Sequence, residues 1–213
     1  MKTVISLCDR TGNMVLPWAE AGYECICVDT QDGASEHPNI THLKTTVQAF
    51  ESMVHWLKKE LNVVAVFAFP PCTDLAVSGA RWFQHKQMAD PMYRKKAMSI
   101  VYACARIAEA MSAPFFIENP VSVIATEWRE PDYRFQPCEF GGYKGGENDN
   151  YTKKTCLWTG GGFTLPPKKK IEPTDGCRMW KKYGGKSLKT KNARSATPMG
   201  FARAVFEHLT GGK

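Results

Sequence analysis

The first half of the chain alternates short apolar runs with stretches of helical spacing. Residues 3–8 form an apolar run of the kind that makes a buried strand, and residues 24–28 alternate and end at Asp29. Residues 63–69 are continuously apolar, as in a central parallel strand that is covered on both faces. Residues 114–117 form a shorter fourth run. The pattern therefore predicts four buried strands in this part of the chain.

Helical spacing separates these runs. A short helix is predicted to lead through Trp18 to Ala21, with Gly22 as its stop signal. Residues 47–61 place apolar side chains three and four positions apart, and residues 92–111 are also predicted to be helical. Because strand and helix alternate four times, we predict an α/β fold with a doubly wound, mostly parallel, Rossmann-like sheet.

The pattern changes near residue 129. Residues 141–150 are polar and rich in glycine, residues 154–158 favour a strand, and residues 160–194 have no clear period. A last helix is predicted over residues 198–209. We therefore predict an α/β domain of residues 1–128, a small basic region of residues 129–194, and a C-terminal helical segment of residues 195–213 that returns to the first domain.

Positive charge is concentrated in one segment. Residues 153–194 contain twelve Lys or Arg side chains against only Glu172 and Asp175, whereas the net charge of the whole chain is +7. Such a segment favours a polyanionic partner whose phosphates it would contact, and a solvated face is the alternative. Trp158, Trp180 and Tyr183 lie among these lysines, which suits stacking against nucleic-acid bases. Core packing is an equally ordinary use of Trp158.

The cysteines and the N-terminus bear on the compartment. The eight cysteines include no Cys-x-x-Cys pair, and this favours reduced thiols in a cytoplasmic protein over a disulfide framework or a zinc site. Most of them are expected to be small buried side chains. The N-terminal apolar stretch is too short for a signal peptide, and no run is long enough to span a membrane. We therefore expect neither a metal nor a membrane partner.

Polar clusters follow the predicted strands. They comprise residues 9–13, Asp29, residues 71–73, and residues 118–119. Ligands of open α/β sheets lie outside the carboxyl ends of the strands, so we expect a cofactor at the first two clusters and a substrate at the last two. An acidic residue at the end of the second strand can accept hydrogen bonds from a ribose. Without a complete Gly-x-Gly-x-x-Gly motif, a dinucleotide cofactor is disfavoured, and a simple turn with a solvated Asp29 is the alternative.

Two residues in the later clusters carry candidate chemistry. Cys72 follows two prolines that stiffen the turn, and its thiolate would be favoured by basic groups or a helix N-terminus. Glu118 follows an apolar strand, where apolar walls raise the pKa of a carboxyl group and let it hold a proton. Asn119 is placed to orient the substrate or the prolyl turn. A buried structural cysteine and a helix-capping Glu-Asn turn are the alternatives.

These motifs resemble the DNA cytosine-C5 methyltransferase family. Phe-Pro-Pro-Cys at residues 69–72 is followed 46 residues after the cysteine by the glutamate of Ile-Glu-Asn. Residues 6–12, residues 21–23 and Asp29 resemble the start of that family's cofactor site, and residues 197–202 resemble its closing segment. The compressed remainder, with Lys-Thr-Cys-Leu-Trp at residues 154–158, resembles small phage-borne members.

The resemblance implies a methyltransferase-type Rossmann-like fold, S-adenosyl-L-methionine as cofactor, and DNA as substrate. It implies that Cys72 attacks C6 of cytosine while Glu118 contacts N3, with Asn119 as the third catalytic residue. The implied cofactor-binding residues are Asp9, Arg10, Thr11, Gly12, Asn13, Asp29, Pro70 and Pro71. The residues expected to bind substrate are Thr73, Ser78, Lys153, Lys154 and Arg194.

The sequence also departs from the family pattern. The family has Gln where this chain has Thr73, and Val where it has Pro120; Thr45 and Thr46 stand where an acidic residue is usual. Residues 152–154 are the nearest match to its Gln-x-Arg-x-Arg strand. Three functions stay open: methylation of cytosine in DNA (or RNA), methylation of a free cytosine nucleotide, and a non-catalytic nucleic-acid-binding module that needs a partner. A homodimer is open as well.

Overall fold

A seven-stranded mixed sheet forms the centre of the protein in the computed structural model, which describes residues 1–177 and 187–212. Its order is β3-β2-β1-β4-β5-β7-β6. Strands β1 to β5 pair in parallel, whereas β7 runs antiparallel to both β5 and β6. The strands are β1 (Lys2–Leu7), β2 (Glu24–Asp29), β3 (Ile40–Lys44), β4 (Asn62–Ala68), β5 (Phe115–Pro120), β6 (Tyr133–Phe135) and β7 (Thr155–Gly160).

Helices flank this sheet. The α-helices within the described ranges are α1 (Leu16–Glu20), α2 (Val47–Glu51), α3 (Val54–Glu60), α4 (Phe83–Ala89), α5 (Tyr93–Ala110), α6 (Ile124–Glu127), α7 (Leu188–Ser195) and α8 (Met199–Thr210). Two apolar clusters form the core. One joins α2, α3 and α5 to side chains such as Ile5 and Val66, and the other joins α1 and α8 to Phe67 and Phe116. The α/β architecture and the mostly parallel sheet are therefore confirmed.

Three elements differ from their prediction. Strand β3 was not predicted from the residue pattern. The single helix predicted over residues 47–61 is two helices, and at the break the Ser52 hydroxyl donates to the Ala49 carbonyl oxygen (2.7 Å). Strand β5 continues through Pro120, because Glu118 and Asn119 pair with β7. These two polar residues therefore lie within the strand and not in a turn after it.

Part of the predicted basic region belongs to the sheet. Strands β6 and β7 both come from residues 129–194 and extend the sheet beyond β5. Trp158 of β7 is fully buried, and its indole N–H donates to the Arg129 carbonyl oxygen (2.6 Å). Of the two uses left open for Trp158, stacking on bases is therefore wrong and core packing is confirmed, because β7 places the ring in the core. Trp180 and Tyr183 lie outside the described residues.

The cysteines of this fold do not pair with one another. Cys25 and Cys27 are buried on one face of β2, and all eight cysteines are free thiols. Within residues 1–177 and 187–212, no helix has both the length and the apolar character that a membrane crossing requires.

A substitution at Gly200, at the start of α8, tests how tightly the C-terminal helix is packed. The Gly200 N–H donates to the Asp149 carboxylate (2.8 Å), and a Cβ at this position would collide with the Phe140 carbonyl oxygen. We expect Gly200→Ala to lower the free energy of unfolding by about 2 kcal/mol, since overpacking forces the backbone to shift. Urea unfolding followed by circular dichroism measures this loss.

Gly79→Ala is the matched control. A Cβ at Gly79 meets nothing within 4 Å, so this variant should unfold at the same urea concentration as the parent protein. Equal destabilisation by both substitutions would contradict the proposed collision.

Candidate active site

A crevice is expected where the strand order reverses. The chain moves outward from β1 to β3 and then returns to place β4 on the other side of β1. In open α/β sheets this switch point opens a crevice at the carboxyl ends of the two strands. Asp9 follows β1, Asp29 ends β2, Cys72 follows β4, and Glu118 lies near the end of β5. The four predicted polar clusters therefore share one edge of the sheet.

The Asp9 carboxylate forms hydrogen bonds within its own loop. It accepts hydrogen bonds from the Ser6 hydroxyl (2.8 Å), from the Thr11 N–H (3.0 Å) and hydroxyl (2.9 Å), and from the Gly12 N–H (2.9 Å). Asp9 is buried, and Gly12 takes a left-handed φ of 71° that favours glycine. Asp9 thus fixes the shape of the loop. Its carboxylate is occupied by these hydrogen bonds, so the crevice is lined by the loop and not by the Asp9 side chain.

The rest of this loop faces the C-terminal part of the chain. The Asn13 side-chain amide donates to the Thr197 carbonyl oxygen (3.2 Å). Arg10 and Thr11 line an open cleft together with Lys189 and other residues of α7. The loop after β1 is therefore joined to the segment before α8, as the resemblance to a closing segment implied.

Asp29 is the second acidic group of this edge. Its carboxylate accepts a hydrogen bond from the Gln31 N–H (2.8 Å), and the side chain is half-buried. Burial raises the pKa of Asp29 above its ordinary value, while the Gln31 N–H opposes this rise. The Gln31 side chain also exchanges hydrogen bonds with Asn192 of α7 (3.1 and 3.5 Å). Helix α7 therefore crosses the end of β2.

The prolyl turn after β4 is fastened on both sides. The Phe69 N–H donates to the Leu7 carbonyl oxygen of β1 (2.9 Å). On the other side, the Asn119 amide donates to the Pro70 carbonyl oxygen (2.8 Å). Pro71 then leads into a 3₁₀ turn, Cys72–Asp74, and Cys72 is exposed. The turn thus presents the thiol outward from a fixed backbone.

Glu118 is a largely buried acid, its side chain 14% exposed, and one of its carboxyl oxygens has no hydrogen-bond partner. Its Oε1 is out of contact with solvent and lies 3.9 Å from Lys153 Nζ. The two charges attract each other at this distance, but it is too long for a hydrogen bond. Burial raises the pKa of Glu118, and the Lys153 ammonium partly opposes this. Lys153 also donates to the Arg194 carbonyl oxygen in the last turn of α7 (3.3 Å). The acid is therefore ready to share a proton with a ligand.

The pKa of the Cys72 thiol corrects one sequence expectation. Desolvation by the surrounding protein raises this pKa, and the charge of Glu118 raises it further. Lys153 and Arg194 lower it, but they do not offset the desolvation. The predicted thiolate-favouring basic groups are thus present, yet the resting group is a thiol. These interactions also place Cys72, Glu118 and Lys153 within electrostatic reach of one another.

A small pocket adjoins the acid. Its volume is about 10 Å³, the space of about one water molecule, and Glu118 and Lys153 form its polar wall. Sequence reasoning missed its aromatic wall, formed by Phe69, Phe135 and Phe201. Phe69 adjoins the prolines and was open to prediction. Phe135 lies in a three-residue strand that is too short to produce a recognisable pattern.

The remaining predicted substrate residues divide into two groups. Thr73 and Ser78 lie exposed in 3₁₀ turns after Cys72. Lys153 lies near the acid, and the charges of Lys153 and Arg194 both act on the thiol, Arg194 from the last turn of α7. Lys154 is exposed and does not line the pocket beside Glu118. The structure thus brings Lys153 and Arg194 to the crevice and leaves Lys154 outside that pocket.

Comparison with protein-family models and with curated proteins found no match to this chain. The chemistry of the crevice is therefore inferred from its residues and their geometry.

The buried acid makes stability depend on pH. The pKa of Glu118 is higher in the folded protein than its ordinary 4.5, so between these values the folded state binds more protons and stability falls as pH rises. Glu118→Gln removes this loss. We expect the variant to gain stability relative to the parent protein from about pH 4 to about pH 7, by about 1.4 kcal/mol for each unit separating the two pKa values.

Urea unfolding at several pH values measures the difference. Glu109→Gln, at an exposed position on α5, is the control and should show no such trend. A Glu118→Gln difference that stays constant across this range would show that the acid does not titrate as inferred.

The alkylation rate of the Cys72 thiol should depend on the charge of Lys153. Because Lys153 lowers the pKa of Cys72, Lys153→Met should raise that pKa and slow iodoacetamide alkylation of Cys72 at neutral pH. Alkylation at Cys72 is followed by peptide mass spectrometry. Lys154→Met, which removes the neighbouring exposed ammonium, should leave the rate unchanged. Equal rates in the two variants would contradict the inferred proximity.

Proposed function

We propose that this protein methylates cytosine at C5, in DNA, with S-adenosyl-L-methionine as the methyl donor. One observation carries the proposal. An exposed thiol on a stiff turn after β4 lies within electrostatic reach of a buried carboxyl group on β5 that has an oxygen without a hydrogen-bond partner. A nucleophile beside a proton donor is what C5 methylation of a pyrimidine requires.

The reaction uses the two groups in turn. The Cys72 thiolate bonds to C6 of the cytosine while Glu118 donates a proton to N3; the electrons of the C5–C6 double bond move to C4–C5, and C5 becomes the nucleophilic carbon of an enamine. C5 would then take a methyl group from S-adenosyl-L-methionine, whose sulfur would keep the electron pair of the broken bond and leave as a neutral thioether. Loss of the C5 proton to water and breaking of the bond from C6 to sulfur restore the C5–C6 double bond and release the Cys72 thiolate. Glu118 recovers its proton from N3.

The electrostatics favour one pair of protonation states. The negative charge of Glu118 raises the pKa of Cys72, so a protonated Glu118 removes this repulsion. Burial already raises the pKa of Glu118. Lys153 and Arg194 then stabilise the thiolate. The reaction begins with a neutral Glu118 and a Cys72 thiolate. A proton on Glu118 makes the thiolate easier to form, because it removes the negative charge that raises the pKa of Cys72.

The cofactor would occupy the crevice on the β1–β2 side. Asp29 is a half-buried carboxylate at the end of β2, and burial raises its pKa, which fits an acceptor for ribose hydroxyl groups. The loop that Asp9 fixes would lie beside the methionine end. Under this proposal the Rossmann-like sheet is of the methyltransferase type.

Two observations bear on the substrate. Lys153 and Arg194 at the crevice, and Lys189 on α7, offer positive charge to a phosphate backbone. The pocket beside Glu118, at about 10 Å³, would have to widen to admit a base that has left its stack or a free cytosine nucleotide, which is the second candidate. A non-catalytic binding module would need neither Cys72 nor Glu118.

Methyl transfer is the direct test. We expect DNA incubated with the protein and S-adenosyl-L-methionine to contain cytosine heavier by one methylene group, as measured by mass spectrometry of its nucleosides. Cys72→Ala should abolish the product, and Glu118→Gln should lower kcat/KM by about a hundredfold or more. Cys177→Ser, at a half-buried thiol, is the matched control and should keep full activity.

The outcomes separate the candidates. Product on dCMP but not on DNA would favour the nucleotide reaction. Methylation that survives Cys72→Ala would overturn the covalent mechanism, and nucleic-acid binding that is indifferent to this substitution, with no product, would favour the non-catalytic module.

A further inference from the structure

A cleft larger than the pocket beside Glu118 separates the loop after β1 from helix α7. Its volume is about 490 Å³. Arg10 and Thr11 line it from the loop, and Lys189 lines it from α7. This volume is in the range of ligand-binding pockets, whereas the pocket beside Glu118 has the space of about one water molecule. The cleft can therefore hold a ligand in the conformation that the structure shows.

One face of α7 is turned toward this cleft. Lys189 and Asn192 are three positions apart, and Ala196, directly after the helix, follows seven positions after Lys189. This spacing places side chains on one face of a helix, and all three residues line the cleft. Helix α7 contains no acidic residue. The face that it turns to the cleft therefore carries positive charge without a compensating acid.

The two cations of the cleft are not neutralised by neighbouring acids. Within the part of the chain that the structure describes, the side chains of Arg10 and Lys189 form neither an ion pair nor a hydrogen bond. The charge of Arg10 acts on Asp29 and Asp32 from beyond ion-pair distance, and Asp32 is paired with Lys44 (2.9 Å). Two unpaired cations that line one cleft repel each other, and an anionic ligand there would remove this repulsion.

The cleft adjoins the pocket of the acid. Ala196 lines both cavities, so they share a wall. Lys189 lies five residues before Arg194, whose charge acts on Cys72, and these two positions are about 7.5 Å apart along the helix axis. About two nucleotides of a DNA strand span such a distance. A strand whose target base lies at the thiol can therefore place a phosphate in the cleft.

We propose that Arg10 and Lys189 bind a phosphate group in this cleft. The planar guanidinium of Arg10 matches two phosphate oxygens, and the Lys189 ammonium adds a second charge. The resemblance assigned Arg10 to the cofactor, but S-adenosyl-L-methionine contains no phosphate and carries a sulfonium cation, which both side chains repel. The phosphate site depends only on the cleft and its cations. That the phosphate belongs to the DNA strand with the target cytosine rests on the proposed function.

Binding in the absence of methyl donor tests the site. Fluorescence anisotropy of a labelled single-stranded oligodeoxynucleotide gives Kd at several salt concentrations. Arg10→Met and Lys189→Met should each raise Kd by about fivefold at low salt and lower the slope of log Kd against log salt by about 0.7, the value for one phosphate contact on a single strand. Lys189→Arg keeps the charge and should bind like the parent protein.

Lys191→Met is the matched control. Lys191 is an exposed lysine of the same helix that does not line the cleft, so this variant should leave the salt slope unchanged. Equal loss of slope in Lys191→Met and Lys189→Met would overturn the proposal, since the total charge of α7 would then be sufficient.

Two further ligands identify what the cleft holds. Both cleft variants should bind S-adenosyl-L-homocysteine, the cofactor without its methyl group, as tightly as the parent protein does in calorimetry. Weaker binding of this ligand with unchanged binding of the oligodeoxynucleotide would assign the cleft to the cofactor and overturn the proposal. If the variants weaken dCMP as much as the oligodeoxynucleotide, the phosphate site holds and the phosphate is that of a free nucleotide.

Methyl transfer separates this proposal from the proposed function. Methylated cytosine together with salt slopes that do not depend on Arg10 or Lys189 would overturn the phosphate site and leave the proposed function standing. A slope that depends on both residues, without any methylated product, would support the site and count against the proposed reaction.

Discussion

The placement of the Cys72 thiol beside Glu118 depends on one buried hydrogen bond, from the Asn119 side-chain amide to the Pro70 carbonyl oxygen (2.8 Å). Pro70 and Pro71 have no N–H, so the turn lacks two of the backbone donors with which turns usually fasten themselves. Asn119 is almost fully buried, where leaving a donor or acceptor unpaired is costly. The neighbouring strand therefore fixes the turn, and the same strand carries the acid at the preceding position.

Alternation along β5 explains why both residues are needed. Consecutive side chains of a strand point to opposite faces, so Asn119 and Glu118 leave β5 in different directions. One is committed to the prolyl turn, and the other lines the pocket. Antiparallel pairing with β7 continues through both positions and holds them in register. A single pair of adjacent residues thus connects the backbone of the nucleophile to its acid.

The buried acid sets the electrostatic character of the crevice. A carboxyl group without a hydrogen-bond partner on one oxygen is unfavourable to the fold, and carboxyl groups with a raised pKa are concentrated at functional sites. Lys153 stands 3.9 Å away, near enough to moderate the pKa of Glu118 and too far to satisfy its oxygen. The carboxyl group therefore keeps its capacity to bind a ligand.

Much of the sheet and of the crevice could be predicted from the sequence, because local patterns encode them. Continuous apolar runs identify strands such as β1 and β4, since burial on both faces demands them. Gly22 stops α1 with a left-handed φ of 85°, as its position indicated. The edge that gathers Asp29, Cys72 and Glu118 follows from parallel strands alone.

What could not be predicted depends on contacts distant in the chain. The extension of β5 through Pro120 requires pairing with β7, which lies more than thirty residues later. The burial of Trp158 follows from the same pairing. The lysines around it in the sequence were also consistent with base stacking, and only the pairing of β7 with β5 decides for the core. The raised pKa of Cys72 is likewise a matter of surroundings: basic neighbours were foreseen, but desolvation outweighs them.

The C-terminal part of the chain has a second role besides carrying charge. Lys153 lies two residues before β7, Arg194 lies in the last turn of α7, and Thr197 binds the loop after β1, so this part of the chain lies beside the crevice at the ends of the earlier strands. Strands β6 and β7 belong to the sheet. Within the described residues, the positively charged groups that could meet a nucleic-acid strand near the thiol are Lys153 and the basic residues of α7. Under the proposed function, these groups would contact the phosphates next to the target base.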